Sequence, residues 1–289
     1  MKKLLKAIVM TIIVFCSFTV TACGGEKPVN LTCISLVNNT TGFTVDNEED
    51  GIAIALAKGS PLKASMDEYL GVLATSYKNS VMQKMVDLKT KEGAKYSIEY
   101  NADHSTSNGI LKVGMECDCG PFNWTQEVDK NGAIRIANKE GKYANGYDVQ
   151  IAAQVAAYLD MKLEIYQYEW NELIPALKNG TITAIVSSMR PTTAMMEEMD
   201  FSVPYYQSNL VMITREGSSI ATATNLAEID KAGVKIAARV GSFHLETVKG
   251  QTNNLTVIET YQNFNEMKSA LKNGTIDGYI VDEPVANIL

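Results

Sequence analysis

Histidine, a common catalytic and metal-binding residue, is scarce in this sequence. The 289-residue chain has only two, His104 and His244. The sequence also lacks a P-loop, a Ser-His-Asp pattern and the spacing of zinc ligands. We therefore predict no metal and no cofactor. His244 falls in a predicted helix and is expected on that helix's surface, and nothing paired with His244 or with Asp282 suggests acid-base work.

Positive charge is also in the minority. The chain has 26 lysines and arginines against 33 acidic residues, a net charge of −7. No basic stripe is available to neutralise phosphates, so a nucleic-acid partner is disfavoured.

A long apolar run is missing too. The run at residues 7–15 is too short to span a bilayer securely, but Lys2, Lys3 and Lys6 precede it and small residues follow it. This layout predicts a secretory signal over residues 1–22. Cys23 comes next and resembles the lipid-accepting cysteine of a bacterial lipobox, with plain cleavage as the alternative. We expect an extracytoplasmic protein anchored to the bacterial cell membrane by lipid on Cys23.

Cysteines beyond that position are few: Cys33, Cys117 and Cys119. The C-x-C spacing of the last two is poor for a disulfide between them. At best, it is a fragment of a metal site. We predict free or partly buried thiols.

The rest of the chain is organised around residues 146–206. Apolar residues at Ile151, Val155 and Leu159 predict a helix on a sheet, with Asp148 as its cap. A strand, a second helix and a second strand follow, and the last strand ends in a polar segment at residues 187–193. In an open α/β sheet, a ligand sits at the carboxyl end of such a strand.

A seven-residue repeat indicates that this unit occurs twice. The sequence Ala-Leu-Lys-Asn-Gly-Thr-Ile at residues 176–182 recurs without change at residues 270–276. The second copy also lies between a predicted helix and a predicted strand. Two similar α/β lobes are therefore expected.

The motifs of residues 109–289 resemble, in order, those of the family 3 extracellular solute-binding proteins, the polar amino-acid receptors of bacterial ABC importers. They are Leu111-Lys112-Val113-Gly114 with Pro121-Phe122, Gly146-Tyr147-Asp148-Val149, Leu173-Ile174-Pro175-Ala176-Leu177, Asp200-Phe201-Ser202 with Pro204-Tyr205-Tyr206, and Val281-Asp282-Glu283-Pro284-Val285-Ala286. The resemblance implies an α/β, two-lobed periplasmic-binding-protein-like fold of type II, with two hinge strands and a ligand cleft between the lobes.

The family pattern continues beyond the last of these motifs with a strand, a hinge strand and a helix. Residues 31–37 and 50–62 resemble that missing part, placed ahead of the rest. We interpret this order as a circular permutation, with a fragment of a tandem protein as the alternative. Residues 31–37 should then join the sheet of the second lobe, and residues 51–56 should run beside residues 210–214.

The expected domain boundaries follow from that interpretation. They are the signal at 1–22, the tether at 23–30, lobe 1 at 57–93 and 109–206, lobe 2 at 31–50 and 215–289, hinge strands at 51–56 and 207–214, and a linker at 94–108.

The resemblance implies a site for a zwitterion, which needs an acid for the ammonium and cations with helix amides for the carboxylate. Asp282 falls on the ammonium-binding acid and Glu116 on an assisting acid. Trp170 falls on an apolar wall, Ser187 and Ser188 on a polar strand end, and Gly241 with Ser242 on the carboxylate-binding helix start. The first three have purely structural alternatives: a turn aspartate for Asp282, a solvated loop acid for Glu116 and a core tryptophan for Trp170.

Two positions depart from the family. The arginine that grips the ligand carboxylate is Met195 here, while arginines occur at Arg190 and Arg239. The stacking aromatic before Pro121 is replaced by Cys119 and Gly120. A relocated cation could keep the charge match but would change the bidentate geometry.

We therefore expect a monomeric binding lipoprotein, not an enzyme, that captures a polar amino acid by cleft closure and delivers it to an ABC permease. The alternatives are a ligand-presenting sensor, a binder of another organic acid and, more remotely, an enzyme resembling the cyclohexadienyl dehydratases that share the fold.

Overall fold

The computed structural model describes residues 29–34, 51–97, 108–231 and 233–289. The predicted signal segment, Cys23 and His104 lie outside these residues, as do parts of the predicted tether, linker and first strand. Within the described ranges, no helix combines the length and apolar character needed to cross a membrane.

The first lobe is built on a mixed five-stranded sheet. Its strands, labelled in chain order and given in spatial order, are Met199–Phe201 (β10), Ala55–Ala57 (β2), Ala184–Ile185 (β9), Ile110–Met115 (β3) and Lys162–Gln167 (β8). Strand β3 is parallel to β8 and β9, whereas β2 is antiparallel to both of its neighbours. Leu163 and Ile165 of β8 are buried two residues apart, which is the period that predicted this strand.

Helices cover both faces of this sheet. They are Lys63–Val72 (α1), Thr75–Thr90 (α2), Tyr147–Tyr158 (α3), Trp170–Lys178 (α4) and Thr193–Glu198 (α5). Successive residues of β9 separate the two faces, because Ala184 packs in the cluster of α3 and Ile185 packs in the cluster of α4. The sheet is therefore buried on both sides, as in other α/β layers.

The second lobe repeats this plan. Its five strands, in spatial order, are Leu31–Ile34 (β1), Leu210–Arg215 (β11), Gly278–Asp282 (β14), Lys235–Ala237 (β12) and Thr256–Ile258 (β13). Its helices are Leu226–Ile229 (α6), Phe243–Gln251 (α7), Phe264–Lys272 (α8) and Glu283–Ala286 (α9). Helices α7 and α8 pack in different core clusters, so they also lie on opposite faces.

A small third sheet lies beside the first lobe. Its strands are Asp118–Cys119 (β4), Asn123–Gln126 (β5), Tyr143–Asn145 (β7) and Ile134–Arg135 (β6). The predicted hairpin at residues 129–145 corresponds to β6 and β7, while β4 and β5 lie in the segment 115–124 that was predicted as a loop.

The two copies of the seven-residue repeat adopt the same structure. Each helix ends at an asparagine, Asn179 or Asn273, and a glycine with positive φ follows, at +77° and +79°. The asparagine Oδ1 accepts a hydrogen bond from the backbone N–H two residues later, at 2.9 Å in the first copy and 3.0 Å in the second. Glycine supplies the left-handed conformation that this helix end requires. The predicted two-fold repetition of α/β units is confirmed.

Two sequence predictions about local roles are wrong. Asp148 does not cap helix α3, because Gly146 is the N-cap and Asp148 is buried inside the first turn. Residues 51–56 do not run beside residues 210–214: Ala55–Ala57 pairs with β10 and β9, and Ile52 forms an isolated bridge with Tyr206. Strand β11 has no free edge for them, because β1 and β14 occupy both of its sides.

The pairing of Leu31–Ile34 with β11 places this segment in the second lobe's sheet, as the sequence predicted. Strand β10 is in the first lobe and β11 is in the second, so residues 202–209 carry the chain across. A circular permutation of the family order stays a prediction.

A stability test follows from the backbone at Gly146. Its φ of 127° and ψ of 176° lie in a region that is essentially restricted to glycine, and an added Cβ would lie 2.8 Å from the Asn123 Cα. We expect Gly146→Ala to lower the free energy of unfolding by about 3–5 kcal/mol, from strain plus overpacking. Gly180→Ala is the matched control, because its φ is also positive but a Cβ would meet nothing within 4 Å; strain alone should cost about 1–2 kcal/mol. Urea unfolding measures both, and equal losses would contradict the prediction.

Candidate functional site

A buried ion pair joins the ends of two strands, one from each lobe. Arg190 follows β9 and donates to Asp282 Oδ1 from Nε at 3.1 Å and from Nη2 at 2.6 Å. Its Nη2 also donates to the Ser208 carbonyl at 2.6 Å. The Arg190 and Asp282 side chains are 0% and 4% exposed. Because the two charges come from different lobes, this pair holds the lobes together in a closed arrangement.

His244 belongs to the same cluster. Its Nε2 lies 3.0 Å from Asp282 Oδ2, and the residue is buried. The prediction of a surface histidine is therefore wrong. His244 is in the first turn of α7, which brings it to the carboxyl end of β14. Burial alone would raise the pKa of Asp282, but Arg190 and His244 hold that pKa well below its usual range.

A second ion pair crosses the cleft between Glu116 and Arg239. Arg239 Nη1 donates to Glu116 Oε2, and both side chains are almost fully buried. Burial raises the pKa of Glu116, and the positive charge of Arg239 opposes that rise. The site therefore contains two arginines and two carboxylates, arranged as two contacts between the lobes.

Aromatic rings fix the orientation of Arg239. Its guanidinium carbon lies 3.5 Å from the centroid of the Trp170 ring and 4.9 Å from the centroid of the Phe264 ring. Trp170 is itself tied to the second lobe, because its indole Nε1 donates to the Val240 carbonyl at 3.0 Å. Trp170 thus faces the cleft, but in this closed form it packs on an arginine of the protein.

Ser187 and Ser188 reach the site, where their polar groups contact protein atoms. Ser187 Oγ accepts a hydrogen bond from the Glu116 backbone N–H at 3.1 Å. Ser188 has a φ of 45°, and its hydroxyl lies 3.6 Å from Cys119 Sγ. The two serines therefore position Glu116 and the end of β9.

Asp148 is a residue of this region whose role the sequence did not reveal. It accepts hydrogen bonds from Asn123 Nδ2 at 2.7 Å, the Tyr205 hydroxyl at 2.7 Å and the Ser188 N–H at 2.8 Å. Burial raises its pKa to about 6 against these hydrogen bonds. The motif at residues 146–149 includes Asp148 but does not reveal its hydrogen-bond donors, because all three are at least 25 residues away in sequence.

Gly241 and Ser242 form the start of α7, as expected from the sequence. Gly241 has a φ of +63°, and Ser242 is the N-cap, whose hydroxyl oxygen accepts from the Leu245 N–H at 3.3 Å. The same hydroxyl donates to the Arg239 carbonyl at 2.6 Å. The helix start and Arg239 are therefore held together in one loop.

The two departures from the family have structural explanations. Met195 is 6% exposed and packs in an apolar cluster with Trp170, Leu173 and Met199, so this position carries no charge. Cys119 is buried beside Ser188.

Cys33, Cys117 and Cys119 are free, which confirms the prediction for the thiols. Burial raises the pKa of Cys117 and Cys119, and therefore disfavours the reactive thiolate.

A cavity of about 340 Å³ adjoins Glu116 where the lobes meet. Its lining comes from both lobes: Lys89, Glu116, Cys117, Asp118, Trp124, Thr125, Gln167, Tyr168, Glu169 and Asn263. Asp118 bonds across the cleft to Asn265 Nδ2, at 2.7 and 2.9 Å. The mouth of the site is thus polar, whereas its charged centre is closed.

Two α/β lobes with a buried, charge-lined cleft between them define a two-lobed solute-binding protein of the periplasmic type. The family model of the bacterial extracellular solute-binding proteins, family 3, matches residues 111–258. The chain belongs to this family.

Individual relatives support the same assignment. The chain is 28% identical to a probable histidine-binding protein of Campylobacter jejuni, over 65% of this chain and 66% of that protein. It is 29% identical to the ABC transporter glutamine-binding protein GlnH of Bacillus subtilis, over 52% of this chain and 54% of that protein. It therefore spans about half to two thirds of the length of these curated relatives.

Solved structures share the fold. An amino acid ABC transporter substrate-binding protein, AbpA from Streptococcus pneumoniae, bound to L-arginine, has a TM-score of 0.52 and 25% identity. The match covers 62% of this chain and 70% of that one.

The pH dependence of stability tests the Arg190–Asp282 pair. The lowered pKa of Asp282 means that its ionised form stabilises the folded state above the unfolded pKa of about 3.9, and that this stabilisation is lost as the pH falls further. At pH 7, Asp282→Asn leaves Arg190 buried without a charge partner and should cost about 3–5 kcal/mol in unfolding free energy. The difference from the unmodified protein should shrink below about pH 4.

Glu198→Gln is the control for that measurement. Glu198 pairs with Lys178 at 3.1 Å, but both side chains are 53% exposed. Its loss should cost less than about 1 kcal/mol at any pH. A pH-independent loss in Asp282→Asn would show that its ionisation does not stabilise the fold.

Proposed function

We propose that this protein captures a polar amino acid between its lobes and delivers it to an ABC importer. The observation that carries the proposal is the Arg190–Asp282 contact. It sets one fixed positive charge and one fixed negative charge against each other across the cleft, each attached to a different lobe.

The charges of that contact are complementary to those of a zwitterion. When the lobes separate, Asp282 can accept the α-ammonium and Arg190 can bind the α-carboxylate. Such a ligand replaces one buried ion pair with two, and leaves no charge uncompensated. An isolated cation or anion would leave either Arg190 or Asp282 without a partner in a buried site, which is costly.

The relatives agree with an amino-acid ligand. They include proteins named as histidine-, glutamine- and arginine-binding. These amino acids differ in their side chains and share the α-ammonium and α-carboxylate groups. The relatives therefore support contacts with those two groups, and the ligand's side chain has to be inferred from this site.

The sequence supports a membrane anchor for the same function. Cys23 lies outside the described residues, but it follows a predicted signal and small residues suited to lipid attachment. We expect a monomer that remains at the outer face of the cytoplasmic membrane, near its permease.

Ligand binding is tested by thermal unfolding in the presence of single L-amino acids. A ligand present at 100 times its dissociation constant should stabilise the protein by about 2.7 kcal/mol. Asp282→Asn should abolish the shift of the best ligand, because the ammonium then loses its counter-charge. Glu283→Gln is the control, since it alters the adjacent acid outside the Arg190 contact. Absence of a shift with every amino acid would reject the proposed ligand class.

The anchor is tested separately by metabolic labelling with palmitate. We expect Cys23→Ser to lose the label and to release the protein into the soluble fraction, while Cys33→Ser keeps both label and location. Full labelling of the Cys23 variant would place the lipid elsewhere or exclude it.

A further inference from the structure

One donor in the centre of the site has no acceptor. Arg239 is 1% exposed, its Nη1 donates to Glu116, and its Nε has no hydrogen-bond partner. The centroids of the Trp170 and Phe264 rings lie 3.5 and 4.9 Å from the guanidinium carbon, so the two rings and the Glu116 contact hold the group in place. Because the Nε–H lies in the plane of the guanidinium, its direction is fixed as well.

Buried N–H groups are normally paired, and an unpaired one needs an explanation, which an acceptor on the bound ligand would supply at this position. Arg190 does not offer a similar vacancy, since its Nε and Nη2 already bind Asp282 and Ser208. Arg239 can therefore donate one more hydrogen bond, from Nε, without first breaking its own ion pair.

The charge balance limits what that contact can be. The buried ion pairs that cross the cleft are Arg190 with Asp282 and Arg239 with Glu116, two positive and two negative charges. The other buried acid of the region, Asp148, already accepts three hydrogen bonds from protein groups. A zwitterionic backbone adds no net charge, but a charged side chain would add one that no buried group neutralises. Asp118 and Glu169, the other acids at the neighbouring cavity, are exposed, so water screens them.

From the unpaired donor and the balanced charges, we infer that the ligand is an amino acid with a neutral side chain whose carbonyl oxygen accepts from Arg239 Nε. A side-chain amide has this chemistry, and the inference rests on the proposed function. Arg239 then determines specificity, while Glu116 sets the charge that the side chain must not carry.

Isothermal titration of the unmodified protein tests this with L-glutamine, L-asparagine, L-glutamate, L-aspartate, L-lysine and L-norleucine. We expect one of the two amides to bind at least tenfold more tightly than its own acid, and also more tightly than lysine and norleucine. If amino acids bind but the acids, lysine or norleucine equal the best amide, the inference fails and the proposed function stands. If none of the six binds, the inference fails, and the proposed function is decided by the thermal-unfolding screen of all amino acids.

Two variants test the roles of the individual residues. Glu116→Gln keeps the shape of the side chain but leaves Arg239 without a counter-charge, so the ratio of acid to amide affinity should rise at least tenfold. Arg239→Lys keeps the charge balance but removes the Nε donor, so the preference for amide over norleucine should fall below about threefold. Unchanged ratios in variants that retain a cooperative thermal transition would overturn the assignment.

Discussion

The Arg190–Asp282 contact is the interaction on which the closed arrangement of the lobes depends. Each partner sits at the carboxyl end of a strand that follows one copy of the repeat, β9 in the first lobe and β14 in the second. The two copies of the repeat therefore present opposite charges to each other. Arg239 and Glu116 form a second contact of the same kind, and Trp170 adds a hydrogen bond, so closure rests on several directional contacts besides apolar packing.

This arrangement explains how closing can be reversible. Each buried pair is stable because its partners neutralise each other, and removing one partner would be costly. In the proposed function, a zwitterion that enters between Arg190 and Asp282 would supply the missing charges itself. The protein would then exchange one set of compensated charges for another, and the free energy of binding would depend on how well the ligand reproduces the contact that it replaces.

Much of the fold could be predicted from periodicity, because the apolar spacing in α3, β8 and the two repeats reflects local packing alone. The ordered motifs then located most residues of the candidate site. Contacts between residues that are distant in sequence could not be predicted. His244 contacts Asp282 because α7 starts near the carboxyl end of β14. Asp148 is hydrogen-bonded by Asn123 of β5 and by the Ser188 N–H after β9. The pairing of β2 with β10 was missed because a strand pattern carries no information about its neighbour.

The position of β1 has a consequence for biosynthesis. This strand lies at the edge of the second lobe and pairs with β11, about 180 residues later in the chain. The ribosome completes the whole first-lobe sheet, up to β10, before the partner of β1 has been made. During that interval β1 has no strand to pair with, and unpaired strand edges promote aggregation. Export of the finished chain in an unfolded state would avoid that interval, since both lobes could then form together.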